Sequence, residues 1–172
     1  PDDVLESCFI DVLNDRFEGT GWRQPIEKLP SGMRYGQFHS KRLGADAAFH
    51  LKDGLVWGGN LSVLCSLVGT PYFPQVDGGF LFLEDVGEHP YRVERLLTQL
   101  LHAGVLAKQQ AIVMGQFSDY RLTPHDRGYN LKTVTNWLRS QLKVPVISGL
   151  PFGHVPRKVL LPVGRLADMV VQ

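Results

Sequence analysis

Hydrophobic positions change their rhythm three times along the chain. Val4, Leu5, Cys8, Phe9, Val12 and Leu13 recur at three- and four-residue spacing behind Asp2 and Asp3, which predicts a helix with acids in its first turn. Residues 18–31, with Gly19, Gly21, Pro25 and Pro30, read as a linker, so a domain boundary is expected there. Between 32 and 58 the pattern alternates: Met33 to Phe38 predicts a short strand, and Ala47 to Leu51 and Leu55 to Trp57 predict two more around an Asp53-Gly54 turn.

From Asn60 onward, helical and extended patterns take turns. Asn60 is placed to cap a helix carrying Leu61, Leu64, Cys65 and Val68, stopped at Gly69. The run Phe80 to Leu83 predicts a buried strand, and Pro90 opens a helix presenting Val93, Leu96, Leu97, Leu100 and Leu101 on one face. Ala111 to Met114 predicts a strand, Asn130 to Leu142 a helix, and Val144 to Ile147 a further strand. Lys158 to Val163 and Arg165 to Val171 are expected as closing strands. Such alternation predicts an α/β domain whose successive strand ends face one cleft.

Composition narrows the partners. With 44% apolar and 20% charged residues over 172 positions, the chain reads as globular. Its 18 basic and 17 acidic residues leave a formal charge of +1, too little to attract nucleic acid or anionic lipid. No apolar stretch approaches the roughly 20 residues of a membrane span, and the start lacks the basic-then-apolar order of a signal peptide. Cys8 and Cys65 have neither a metal-ligand spacing nor a disulfide framework, so two buried thiols in a reducing compartment, hence a cytoplasmic protein, are expected. Because the chain begins at Pro1 with a helix whose apolar face needs a partner, we expect residues 1–17 to be the last helix of an upstream domain.

Candidate chemistry lies at the ends of two apolar runs. The run from Gly79 ends in Glu84 and Asp85, and the run Val144 to Ile147 leads to Pro151-Phe-Gly-His154, where a glycine gives close backbone access beside an imidazole. Acids before a helix also serve its free N–H groups and its dipole, but Glu88 is better placed for the dipole and leaves Glu84 surplus to it. His154 equally fits a tight turn. Metal and nucleotide sites are disfavoured: His-Glu-x-x-His, paired Cys-x-x-Cys and both glycine-rich phosphate motifs are missing, and the other histidines show no ligand rhythm. No cofactor is expected. Asn60, beside Gly58 and Gly59, is a candidate for lining a substrate pocket as well as for capping a helix.

The words Gly54-Leu-Val-Trp-Gly-Gly-Asn-Leu-Ser62, Val68-Gly-Thr-Pro71, Phe82-Leu-Glu-Asp85 with Pro90-Tyr-Arg-Val-Glu-Arg95, His102-Ala-Gly104, Val113-Met-Gly115, Gly149-Leu-Pro-Phe-Gly-His154 and Leu161-Pro-Val-Gly164 stand in an order that resembles the serine LD-carboxypeptidases. These enzymes trim muropeptides in bacterial peptidoglycan recycling. The resemblance implies that residues 32–172 form a swivelling β/β/α-type C-terminal domain carrying the acid and base of a Ser-Glu-His triad, matched by Glu84 and His154. It implies that the serine comes from an upstream nucleophile domain in a Gly-x-Ser-Asp context, which this chain lacks before Gly58, and that the protein is a homodimer acting on murein tetrapeptide. Gly115-Gln-Phe-Ser118-Asp119 is superficially similar to that context, but it falls where the family has a variable loop, so Ser118 is not expected to be the nucleophile. Two alternatives stay open: a microcin-immunity-type serine peptidase, which shares the triad words, and a non-catalytic muropeptide-binding module.

Overall fold

The computed structural model describes residues 3–14 and 49–171. The expected linker, the domain boundary and the strand at Met33 to Phe38 lie outside the described residues. Helix α1 (Asp3–Leu13) forms as its spacing predicts, with Phe9, Ile10, Val12 and Leu13 exposed.

Strands β1 (Phe49–Asn60), β2 (Phe80–Val86), β3 (Ala111–Ser118), β4 (Val146–Ile147) and β5 (Leu166–Val171) form one sheet in the order β4-β3-β2-β1-β5. The first four run parallel, and β5 joins β1 antiparallel. Helices α2 (Leu61–Ser66), α3 (Pro90–His102) and α4 (Leu131–Gln141) make the crossovers. Because the parallel strands are added in one direction, right-handed crossovers place all three helices on one face.

Each strand therefore serves two cores. Leu81, Leu83, Ile112 and Met114 point into the helical layer with Leu61, Leu64, Val93, Leu97, Leu100, Val134 and Leu138. Phe80, Phe82, Ala111 and Val113 point the other way, against Leu150, Val159 and the partly buried Phe152 and Leu161, which belong to the irregular chain after β4. Near-continuous apolar runs are what strands covered on both faces require, and each fully buried leucine contributes about 1.5–3 kcal/mol.

The caps work as the sequence predicts. The Asn60 carboxamide oxygen accepts from Val63 N–H at 3.0 Å, that of Asn130 from Thr133 N–H at 3.2 Å, and Pro90 sits in the first turn of α3. Two expectations need correction. The Asp53-Gly54 pair does not turn the chain: β1 runs straight through it, with the pairing to β5 shifting between Leu51 and Gly54 and Asp53 at φ 53°. Lys158 to Val163 is not a strand either. Pro162 has no N–H to give a ladder, and the neighbouring groups are spent on Val159 N–H to Pro151 O at 2.8 Å and Gly164 N–H to Val56 O at 2.8 Å.

The helical side also holds a buried amide. Gln109, 6% exposed, accepts from Trp57 Nε1 at 3.0 Å and donates to the carbonyls of Val76 and Val105 at 2.9 Å each. Replacing it by leucine strands the buried Trp57 donor and two partly buried carbonyls. We expect Gln109→Leu to lower stability by about 2–5 kcal/mol, read from the urea midpoint at an unchanged slope.

Candidate functional site

Strands β1, β2 and β3 end together, and the chain after β4 folds back over their ends on the face away from the helices. That return is tied down at several points. Gln116 N–H donates to Phe152 O at 2.8 Å, Leu150 N–H to Met114 O at 3.2 Å, and the Gln116 side-chain amide to Leu150 O at 2.9 Å. Phe152 packs edge-on against Phe82, with ring centroids 5.0 Å apart.

Glu84 and Asp85 are consecutive and both buried, at 6% and 3% exposure. Side chains alternate along a strand, so Glu84 follows Phe80 and Phe82 toward the returning chain, while Asp85 follows Leu81 and Leu83 toward the helices. Glu84 packs against two glycines: a Cβ on Gly153 would stand 3.2 Å from Glu84 Oε2, and one on Gly115 would stand 3.3 Å from Glu84 Cβ and 2.8 Å from Phe152 O. At φ 129° Gly153 also has a backbone that side-chain-bearing residues rarely adopt. Both positions let the return pass directly over the carboxylate.

Buried Oε2 of Glu84 has no hydrogen-bond partner among the described residues. Burial accordingly pushes the Glu84 carboxyl above its ordinary value of 4.5; His154 opposes this most strongly, Asp85 adds to it, and Asn60 and Lys158 oppose it more weakly. His154 itself is exposed, next to Gly153. The structure thus brings the two expected site residues close together, as a buried acid and an exposed imidazole whose charge favours the ionised form of that acid.

The other candidates fall out differently. Asn60 reaches the same strand ends, but both ends of its amide are engaged: the oxygen caps α2 and Nδ2 donates to Asp85 at 2.9 Å. Ser118 Oγ points to the backbone carbonyl of His154 at 3.4 Å. Glu88, two residues before α3, pairs with the Arg92 side chain. Of the other histidines, His50 Nε2 lies 2.9 Å from Asp168, His89 Nε2 lies 3.2 Å from Asp126, and His39 is outside the described residues. No group of metal-ligating side chains occurs among the described residues, nor any helix long and apolar enough to cross a membrane. Cys65 is a buried free thiol whose pKa is pushed up to about 11 by burial and by Asp85, while the side chain of Cys8 is outside the description.

Sequence reading missed the partners of Asp85. This acid serves not the helix that follows it but α2, which precedes it: Ser62 N–H and Oγ donate to Asp85 Oδ2 at 3.0 and 2.6 Å. Ser62 in the first turn after a capping asparagine was the available signal.

Comparison with known proteins matches this region. Residues 53–169 match the LD-carboxypeptidase C-terminal domain. A solved muramoyltetrapeptide carboxypeptidase from Oxalobacter formigenes superimposes with a TM-score of 0.67 at 46% identity, over 73% of this chain and 47% of that one. The murein tetrapeptide carboxypeptidase of Pseudomonas aeruginosa is 34% identical over 118 residues, 67% of this chain and 37% of the relative. The microcin C7 self-immunity protein of Escherichia coli is 29% identical over 113 residues, 65% of this chain and 32% of the relative. The chain therefore spans less than half the length of these proteins.

Glu84 also makes a pH signature. A carboxyl whose folded value lies above its unfolded one binds a proton more readily when folded, so its stabilising contribution is full below about pH 4.5 and fades as pH rises through the raised value. Glu84→Gln removes the ionisation, and we expect the variant to be more stable than the parent at pH 7 and to lose this part of the decline, measured as thermal midpoints from pH 4 to 8.

Proposed function

The chain belongs to the LD-carboxypeptidase family, and on that premise we propose that it supplies the acid and base of a serine-type LD-carboxypeptidase that releases the terminal D-alanine of murein tetrapeptide. One observation carries the reading: the buried Oε2 of Glu84, without a hydrogen-bond partner among the described residues, lies against Gly153, the residue before the exposed His154, whose charge acts on it. A buried carboxylate oxygen left without a partner, close to a solvent-facing histidine, suits a residue whose task is to orient and charge-balance that histidine.

In this proposal the nucleophile is a serine of an upstream domain. His154 takes the hydroxyl proton as the serine oxygen bonds to the carbonyl carbon before D-alanine, and Glu84 accepts the other ring N–H and stabilises the imidazolium. The C–N bond then breaks and His154 passes its proton to the departing amine. Water, deprotonated by the same imidazole, attacks the acyl-enzyme, and the tripeptide carboxylate and the serine are released. No cofactor takes part. The family resemblance is what favours a serine from outside these residues, since Ser118 faces a backbone carbonyl and Ser62 is bound to Asp85.

The proposed setting is the cytoplasm, supported by the free Cys65 thiol, and a homodimer is proposed on the resemblance alone. Likeness to the self-immunity protein keeps a peptidyl-nucleotide as the competing substrate class.

The test is D-alanine release from murein tetrapeptide by the full gene product containing these residues, followed by mass spectrometry beside a peptidyl-nucleotide conjugate. We expect release from the tetrapeptide, with Glu84→Gln and His154→Ala each lowering kcat by about 10⁴ while remaining folded. Cleavage of the conjugate alone moves the chain to the immunity branch, and a near-parental Glu84→Gln rate removes Glu84 from the mechanism.

A further inference from the structure

The proposed reaction leaves Asp85 without a task, although it is the more buried and the better partnered of the two acids. Its Oδ1 accepts from Asn60 Nδ2 and from its neighbour Val86 N–H, both at 2.9 Å, and its Oδ2 takes the two bonds from Ser62. Three of the four donors are N–H groups, which cannot accept. That set suits an ionised carboxylate and leaves a protonated one with a surplus hydrogen.

Asn60 is where the grip of Asp85 meets Glu84. The two residues are register partners across β1 and β2, and the Asn60 amide lies close enough to Glu84 to favour its charged form. The amide has only one useful orientation. With its oxygen on Val63 N–H and its nitrogen on Asp85, the N–H side serves the acids; rotated by half a turn, the oxygen would confront Asp85 and the cap of α2 would be lost.

We infer that Asp85 is a positioning residue of the candidate site: by gripping Asn60 and the first turn of α2, it turns the amide N–H side toward the acids and keeps the Glu84 carboxylate facing Gly153 and His154. The catalytic consequence rests on the proposed function, whereas the effect on Glu84 does not. Charged groups acting on Glu84 come from two elements, Asp85 on its own strand and His154 and Lys158 on the chain after β4.

Two variants separate the charge of Asp85 from its grip. Asp85→Asn removes a negative charge beside Glu84, an influence larger than that of the Asn60 amide. Ser62→Ala keeps the charge and loosens the hold. The carboxyl carbon of Glu84 and the side-chain amide of Asn60 are followed by NMR through a pH titration of the 172-residue chain. We expect Asp85→Asn to lower the Glu84 midpoint by on the order of one pH unit, Ser62→Ala to raise it by a smaller amount, and both to shift the Asn60 amide resonances. In the full gene product Asp85→Asn is expected to lower kcat about 10²-fold with KM within about twofold.

Parental Glu84 midpoints and Asn60 resonances in both variants overturn the inference, whatever the activity. Should Asp85→Asn not fold, the sign of the Ser62→Ala shift decides alone. An inactive parent protein with the expected NMR shifts counts against the proposed function and leaves the positioning of Glu84 standing.

Discussion

Two acids on consecutive residues of a strand buried on both faces must leave opposite sides of the sheet, and the arrangement of the site follows from that constraint. Asp85 enters the helical side, where α2 begins and free N–H groups are available, and it is satisfied there four times over. Glu84 enters the other side, where the chain after β4 crosses the strand ends and sets Gly153 against an Oε2 that has no partner among the described residues. Similar side chains thus differ in surroundings because of direction. One is held by four hydrogen bonds, and the other keeps a buried oxygen without a partner among the described residues, near an exposed imidazole.

Crossover handedness supplies the rest. With all helices on one face, the opposite face is left for irregular chain, which carries His154 and bends tightly at Gly153 to reach it. Covering by loop rather than helix gives up regular hydrogen bonding, and the tethers to β3 through Gln116 and Leu150 replace it. The burial that raises the proton affinity of Glu84 is a local cost set against the two hydrophobic cores. Strain of this kind concentrated at one place is characteristic of functional sites.

Much of this was legible from residues close in sequence. Pro90, Asn60 and Asn130 mark helix starts through local backbone chemistry, and the run before Glu84 marks a strand end. Glu84 was legible as the end of an apolar run, and His154 as an imidazole among the turn residues that follow the last one; their pairing as acid and base belongs to the proposed function. The partners of Asp85 were not legible, since Asn60 and Ser62 lie 25 and 23 residues away and meet it only once β1 and β2 pair. Asp53-Gly54 misled for a related reason: a turn signal inside a long strand is absorbed as an irregularity when both flanks have a neighbour to pair with.

The central claim is that Glu84 and His154 act as one unit. A double-mutant cycle on D-alanine release by the full gene product, with Glu84→Gln and His154→Ala made singly and together, tests it most directly. If the acid works only through the imidazole, the double variant is no slower than His154→Ala alone. Losses that multiply would show that the two residues contribute independently, and would contradict the account of a single acid–base pair.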